Sequence, residues 1–181
     1  MSKASTSKGG AILYREASAA DGAAIGLLHA QCWLGEAADK ALARTIVSER
    51  QALWRERSAR TDPATRLVVA ESGGEPIGFA CAYARRDPQF GSLLDNLHVA
   101  KAWQTQGVGS ALLRDIAGWS AAVAPDDGLY LWLLPTNRAA RAFYLRRGAG
   151  ALITANEHAA ARAAMLRFGW RRPASLLAGQ H

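Results

Sequence analysis

Gln104-Thr105-Gln106-Gly107-Val108-Gly109 stands between two segments of opposite character. Before it lies the apolar run Leu93-Leu94-Asp95-Asn96-Leu97-His98-Val99, which has the look of a strand. After it comes Ser110-Ala111-Leu112-Leu113-Arg114-Asp115-Ile116, patterned as a helix. A strand, a glycine turn and a helix start together make an anion cradle. Glycine has no Cβ, so the backbone can take positive φ and come close to a ligand. The first N–H groups of a helix have no intrahelical partner and sit at the positive end of its dipole. The main-chain donors of Gln106, Gly107, Val108, Gly109 and Ser110 therefore suit a phosphate or pyrophosphate. Two familiar phosphate loops fail on spacing. A P-loop carries Lys-Ser/Thr directly after its second glycine, and Gly109 is followed by Ser110-Ala111. The dinucleotide fingerprint needs three glycines early in a βαβ unit.

The second half adds a partner motif. Leu129-Tyr130-Leu131-Trp132-Leu133-Leu134 reads as a strand buried on both faces. Pro135-Thr136-Asn137 ends it, and Arg138 to Arg147 reads as a short helix stopped by Gly148. The order is strand, Gln-x-x-Gly-x-Gly helix, strand, Asn-x-x-Ala-x-x-Phe-Tyr helix. In this the chain resembles the GNAT superfamily of acyl-CoA-dependent N-acyltransferases, over roughly Ile12 to Trp170. The parts that carry the resemblance are Leu94 to Val99, Gln104 to Gly109, and Asn137 to Gly148. Nearer the start, Leu28-His29-Ala30-Gln31-Cys32-Trp33 and Trp54 are similar to a subgroup with a His-x-x-Ser-Trp pattern. Here Cys32 replaces the usual Ser, and Ala37 stands where that subgroup tends to carry Tyr.

The resemblance implies an α/β (α+β) domain, with a mixed, mostly antiparallel central sheet flanked by helices. The pattern along the chain agrees. Residues 1–10 read as a disordered leader, 11–171 as the domain and 172–181 as a flexible tail. Ala11 to Ala17 is expected to be a strand, and Ser18-x-x-Asp21 a capping box. Ile25, Leu28, Cys32 and Trp33 fall on one face of a first helix. A second helix is expected between Asp39 and Ser58, with Leu42, Ile46, Leu53 and Trp54 on its apolar side. Arg66 to Glu71 and Pro76 to Ala84 form a hairpin about Ser72-Gly73-Gly74-Glu75. Ser92 to Val99 is the next strand, and the crossover from it to the strand at 129–134 should be parallel. Ala151 to Ile153 and Ala163 to Trp170 are expected to close the sheet as an antiparallel pair.

The resemblance also implies acetyl-CoA as acyl donor, an amine acceptor, and direct attack in a ternary complex. Gln104 opens the phosphate motif. The main chain of Leu97, His98 and Val99 would pair with the pantetheine arm, and an N–H near Leu97 can face the thioester oxygen. Asn137 would bond the pantetheine amides or cap its helix. Tyr144 is placed to donate to the departing thiolate, its ordinary pKa being about 10. The base stays open. Period two puts Leu93, Asp95, Leu97 and Val99 on one face of the strand, with Asn96 and His98 on the other. Asp95 matches a position where relatives often carry a carboxylate; His98 and an ordered water chain are the alternatives. His29 and Trp33 are candidates to line the acceptor site.

The 181 residues are half hydrophobic, enough for one domain with a core of its own. The net charge of +7 suits a polyanionic partner such as coenzyme A. Nucleic acid is not expected, because the basic residues are dispersed and no aromatic-interleaved motif appears. Arginines in 55–60 and 138–147 read as solvated helix faces. Cys32 and Cys81 read as buried, reduced thiols, and the four histidines show no metal-ligand spacing. The leader lacks the apolar core of a signal peptide and no run is long enough to span a membrane, so a cytoplasmic location is expected. A homodimer is compatible with the resemblance. Two rivals remain: a non-catalytic acyl-CoA-binding module on the same scaffold, and a basic nucleic-acid binder.

Overall fold

The computed structural model describes residues 11–34, 39–152 and 165–177. The leader at 1–10, Ala37, Ile153 and Ala163 lie outside the described residues. The elements follow in the order β1 (Leu13–Glu16), α1 (Gly22–Leu34), α2 (Lys40–Ala59), β2 (Thr65–Ser72), β3 (Glu75–Asp87), β4 (Gly91–Val99), α3 (Val108–Val123), β5 (Leu129–Leu133), α4 (Arg138–Leu145), β6 (Gly150–Ala151) and β7 (Leu166–Trp170). Among the described residues, seven strands form one sheet in the order β1-β2-β3-β4-β5-β7-β6. Every pairing is antiparallel except β4 with β5.

Alternation along the strands divides the core between the two sheet faces. Val68 and Ala70 of β2, with Ala80 and Ala82 of β3, pack under Leu112, Leu113 and Ile116 of α3. Leu67, Val69, Phe79 and Cys81 point the other way, against Ile25 and Leu28 of α1 and Trp54 of α2. Helices α1 and α2 touch backbone to backbone. A Cβ on Gly26 would come within 2.5 Å of the Gln51 Cα, and one on Gly22 within 2.7 Å of the Arg55 Cα. This close crossing is what lets a tryptophan of α2 reach a histidine of α1. The capping box expected at Ser18 and Asp21 forms, and Asp39, for which no cap was expected, caps α2. Asp21 Oδ2 accepts from the Ser18 N–H at 2.6 Å, and Asp39 accepts from Ala41 and Leu42.

Several expectations change. Cys81 is buried, but Cys32 is exposed, as is Trp33, so the apolar stripe of α1 runs through Ile25 and Leu28 and stops before them. On α2, Ile46 and Trp54 are buried while Leu42 is exposed. The segment expected as a flexible tail begins with a packed 3₁₀ turn, Pro173–Leu176, whose Pro173 and Leu176 are buried beside α3. Residues 178–181 lie outside the described set. Among the described residues, no helix is long and apolar enough to cross a membrane, and no group of three His, Cys, Asp or Glu side chains could hold a metal ion.

Candidate active site

Strands β4 and β5 pair only through Ser92 with Leu129 and Leu93 with Tyr130. Beyond that point they part, and among the described residues the edge of β4 turned away from β3 has no strand against it. The Ala100 N–H bonds the Ile77 carbonyl at 2.8 Å. Since antiparallel partners alternate between bonded and non-bonded pairs, the amides of Leu97 and Val99 face the open edge. The Val99 carbonyl is taken there by Gln104 Nε2 at 3.1 Å and by Cys32 Sγ at 3.7 Å. The Leu97 N–H thus lies where an extended ligand could add as a strand.

The glycine turn sits at the mouth of this opening. Gly107 is the N-cap of α3 with φ 86°, and its carbonyl accepts from the Ala111 N–H at 3.0 Å. The amides of Val108, Gly109 and Ser110 thus precede the first intrahelical bond. Thr105 also has positive φ, at 63°. A β-branched residue there costs on the order of 1 kcal/mol, and successive reversals of this kind build an anion-binding nest. Gln104 and Gln106 turn inward: Gln106 Nε2 bonds the Ala102 carbonyl at 2.8 Å. Both side chains hold the loop, leaving the main chain to present donors. A Cβ on Gly107 would meet no atom within 4 Å, so the space before the helix is open. That geometry fits a pyrophosphate.

On the α3 side of the opening, Asn137 Oδ1 caps α4 by accepting from the Ala140 N–H at 3.0 Å, which leaves its amide nitrogen as a donor. Tyr144 is buried between Phe143 and Trp170. Burial pushes its phenol above the usual value, against a smaller opposing effect of Arg147, so at neutral pH it is a proton donor.

The opposite face corrects the expected parity. Asn96 pairs with Cys81 and Leu94 with Ala82, so Asp95 is an extra residue bulged out of β4. The bulge resets the alternation. Leu94 and Leu97, three residues apart, both pack on the α3 side, while Asp95 joins His98 toward α1 and α2. Asp95 Oδ2 accepts from Arg57 Nη1 at 2.9 Å and from Asn96 Nδ2 at 2.7 Å. Both bonds fall on one oxygen, so Oδ1 can take a further donor. His98 stacks on Phe79 at 5.3 Å and lies 4.6 Å from the ring of His29. His29 is buried and accepts at Nδ1 from Trp54 Nε1 at 2.9 Å. Burial lowers both histidines to about 4; His98, then Arg50 and Arg57, add to this for His29, while for His98 Arg50 adds and Asp95 opposes. Both are neutral at pH 7. Trp33 stands apart from this group, exposed at the end of α1.

Two arginines read as solvated face are part of the site. Arg57 is half-buried, pairs with Asp95 and lies 5.2 Å over the Trp54 ring. Its spacing of three from Trp54 on one helix was the available signal. Arg147 Nε bonds Ser110 Oγ at 3.2 Å and its guanidinium stacks 3.7 Å from the Phe143 ring centroid. No local pattern announces that contact, because it joins the ends of two helices.

Comparison with known proteins agrees with this geometry. The profile of the acetyltransferase (GNAT) family matches residues 29–149, more than half of the chain. No curated protein matches it in sequence. Solved structures share its fold at low identity. A PaiA N-acetyltransferase from Thermoplasma acidophilum, in complex with coenzyme A, is 13% identical with a TM-score of 0.67, aligning over 88% of this chain and 98% of that one. The diaminobutyrate acetyltransferase EctA from Paenibacillus lautus, in complex with L-2,4-diaminobutyric acid and coenzyme A, is 18% identical with a TM-score of 0.63, over 91% and 96%. A GNAT acetyltransferase from Streptococcus pneumoniae is 19% identical with a TM-score of 0.61, over 88% and 98%. With its split sheet, its glycine-capped third helix and a profile match across both, the chain belongs to the GNAT family of acetyltransferases.

Proposed function

We propose that this protein transfers an acetyl group from acetyl-CoA to a primary amine, by direct attack within a ternary complex. The observation that carries the proposal is the parting of β4 from β5 beside the Gly107-capped start of α3. It leaves a strand edge and a row of helix N–H groups side by side, matching an amide-bearing arm that ends in a pyrophosphate. Two solved structures that share the fold hold coenzyme A, which supports an acyl-CoA donor for this chain.

The acyl donor supplies a thioester carbonyl; the remaining work falls to the chain. The amides of Val108, Gly109 and Ser110 hold the pyrophosphate, and Asn137 and the Val99 edge hold the arm. The Leu97 N–H faces the carbonyl oxygen as it gains charge. Tyr144 gives a proton or hydrogen bond to the departing sulfur. The acceptor enters from the α1–α2 side, where His29 and His98 wall the strand and Trp33 flanks the end of α1. Asp95 takes the amine proton on Oδ1, directly or through water, while Arg57 and Asn96 fix the other oxygen. As the C–N bond forms and the C–S bond breaks, the proton lost by the amine ends on Asp95 and the thiolate is quenched by Tyr144. Cys32 and Cys81 take no covalent part. Cys32 already donates to Val99, and burial pushes the Cys81 thiol up to about 11.

The test is an amine panel with acetyl-CoA, reading free thiol: peptide α-amines, lysine, polyamines, aminoglycosides and small amino acids. Acceptor-dependent thiol release supports the proposal. Tight coenzyme A binding without release from any amine favours a non-catalytic binding module.

A further inference from the structure

One cation on the α1–α2 side of β4 has no counter-charge. Arg50, Trp54 and Arg57 follow at spacings of four and three on α2, so they share one face of the helix. Trp54 bonds His29 of α1 and Arg57 bonds Asp95 of β4, so that face looks onto the acceptor side. Arg50 is half-buried one turn before Trp54. Its charge bears on both His29 and His98, which puts the guanidinium near that pair of rings. The backbone beneath it is fixed by the helix crossing: a Cβ on Gly26 would come within 2.7 Å of the Arg50 carbonyl oxygen. Arg50 Nε is sealed from solvent without a hydrogen-bond partner. Among the described residues, nothing pairs with the guanidinium. Asp95 also bears on His98, but its Oδ2 is held by Arg57 and Asn96. A half-buried cation without an acid carries a desolvation cost that an incoming anion offsets.

We propose that Arg50 binds a carboxylate of the acceptor, so that the substrate is a primary amine that also bears a carboxylate. The assignment rests on the acetyl transfer proposed above, with the acceptor entering from the α1–α2 side. The acceptor wall then has two charged ends. Asp95 Oδ1 meets the amine at one end. Arg50 stands at the other, about 10 Å along α2 from the Arg57 that holds Asp95. His29 and His98 are neutral at pH 7 and compete for neither charge. An amino acid or short peptide matches this order of charges, and the paired N–H donors of a guanidinium fit the two oxygens of a carboxylate. A polyamine or an aminoglycoside does not match it, because each further ammonium meets Arg50 or Arg57 where it needs an acid.

The experiment is steady-state kinetics of the full chain with acetyl-CoA, reading free thiol, on amines taken with and without the carboxylate. The pairs are lysine with lysinamide and cadaverine, 5-aminopentanoate with 5-aminopentanamide, and a dipeptide with its C-terminal amide; spermidine and an aminoglycoside complete the set. The best acceptor should be a carboxylate, with kcat/KM about tenfold or more above that of its amide, the worth of one charge-assisted contact. The difference should lie mainly in KM. Arg50→Gln should bring the carboxylate down to the level of its amide, and Arg50→Lys should restore part of the difference. The ratio is taken within one variant, so it does not depend on how much of that variant is folded. Equal kcat/KM for a carboxylate and its amide, a polyamine or aminoglycoside as the best acceptor, or a preference that survives Arg50→Gln overturns the Arg50 assignment and leaves the acetyl transfer standing. No thiol release from any amine overturns both.

Discussion

The indole N–H of Trp54 donates a 2.9 Å hydrogen bond to Nδ1 of His29, tying α2 to α1 beneath the site. The bond decides a protonation state. With Nδ1 accepting, the imidazole proton sits on Nε2, and an imidazolium would turn an N–H toward the indole N–H. His29 is thereby a neutral wall, and the ring of His98 beside it is kept neutral by burial and by the charge of Arg50.

Stability should therefore depend on pH well above the carboxylate range. The two folded values, near 4, lie below the ordinary value of 6.5, so the unfolded chain binds more protons between them. Stability is complete above about pH 6.5 and falls as pH drops toward about 4. Asp21, held well below its usual range by Arg15, loses its contribution only at lower pH still. Thermal denaturation across the range checks this. Trp54→Phe should cost about 1–3 kcal/mol, because a buried acceptor is left unmet, and should raise the His29 titration seen by NMR. A melting temperature flat from about pH 7 to about pH 4.5 contradicts the reading.

Asp95→Asn separates catalysis from structure. The Arg57 pair is about one third exposed on each side, so its loss should cost less than about 1 kcal/mol of stability. If Oδ1 receives the amine proton, kcat/KM should fall by about 10²-fold or more, with partial recovery at high pH as more amine is free. Steady-state kinetics beside a denaturation curve reads both. Unchanged kcat/KM would remove Asp95 from the mechanism.

Tyr144→Phe keeps the ring between Phe143 and Trp170 and removes only the hydroxyl. The expected result is a drop in kcat of about 10²-fold with coenzyme A affinity unchanged. A kcat equal to wild type would mean that the phenol serves packing alone.

The route from strand to glycine turn to helix was legible because it is local. Gly107 and the Asn137 cap each announce themselves within a few residues. What was hidden depends on contacts distant in sequence. Period two fails at Asp95 because a bulge adds one residue, and nothing in Leu94-Asp95-Asn96 marks it. Arg57 and Asp95 are 38 residues apart, and Arg147 and Ser110 are 37 apart, so neither pairing has a local signature. Cys32 follows the helical stripe of Ile25 and Leu28, but its thiol meets the end of β4 at the Val99 carbonyl instead of entering the core, and it is exposed.

The central claim is that the main chain at the start of α3 grips the pyrophosphate of an acyl carrier. The most direct measurement is coenzyme A affinity by calorimetry for the wild type and Gly107→Glu, with Gly107→Ala as the control for backbone strain at φ 86°. The account predicts binding by the wild type, a modest loss for Gly107→Ala, and at least about a hundredfold loss for Gly107→Glu, whose side chain puts negative charge before the helix. Equal affinity for the wild type and Gly107→Glu would contradict it.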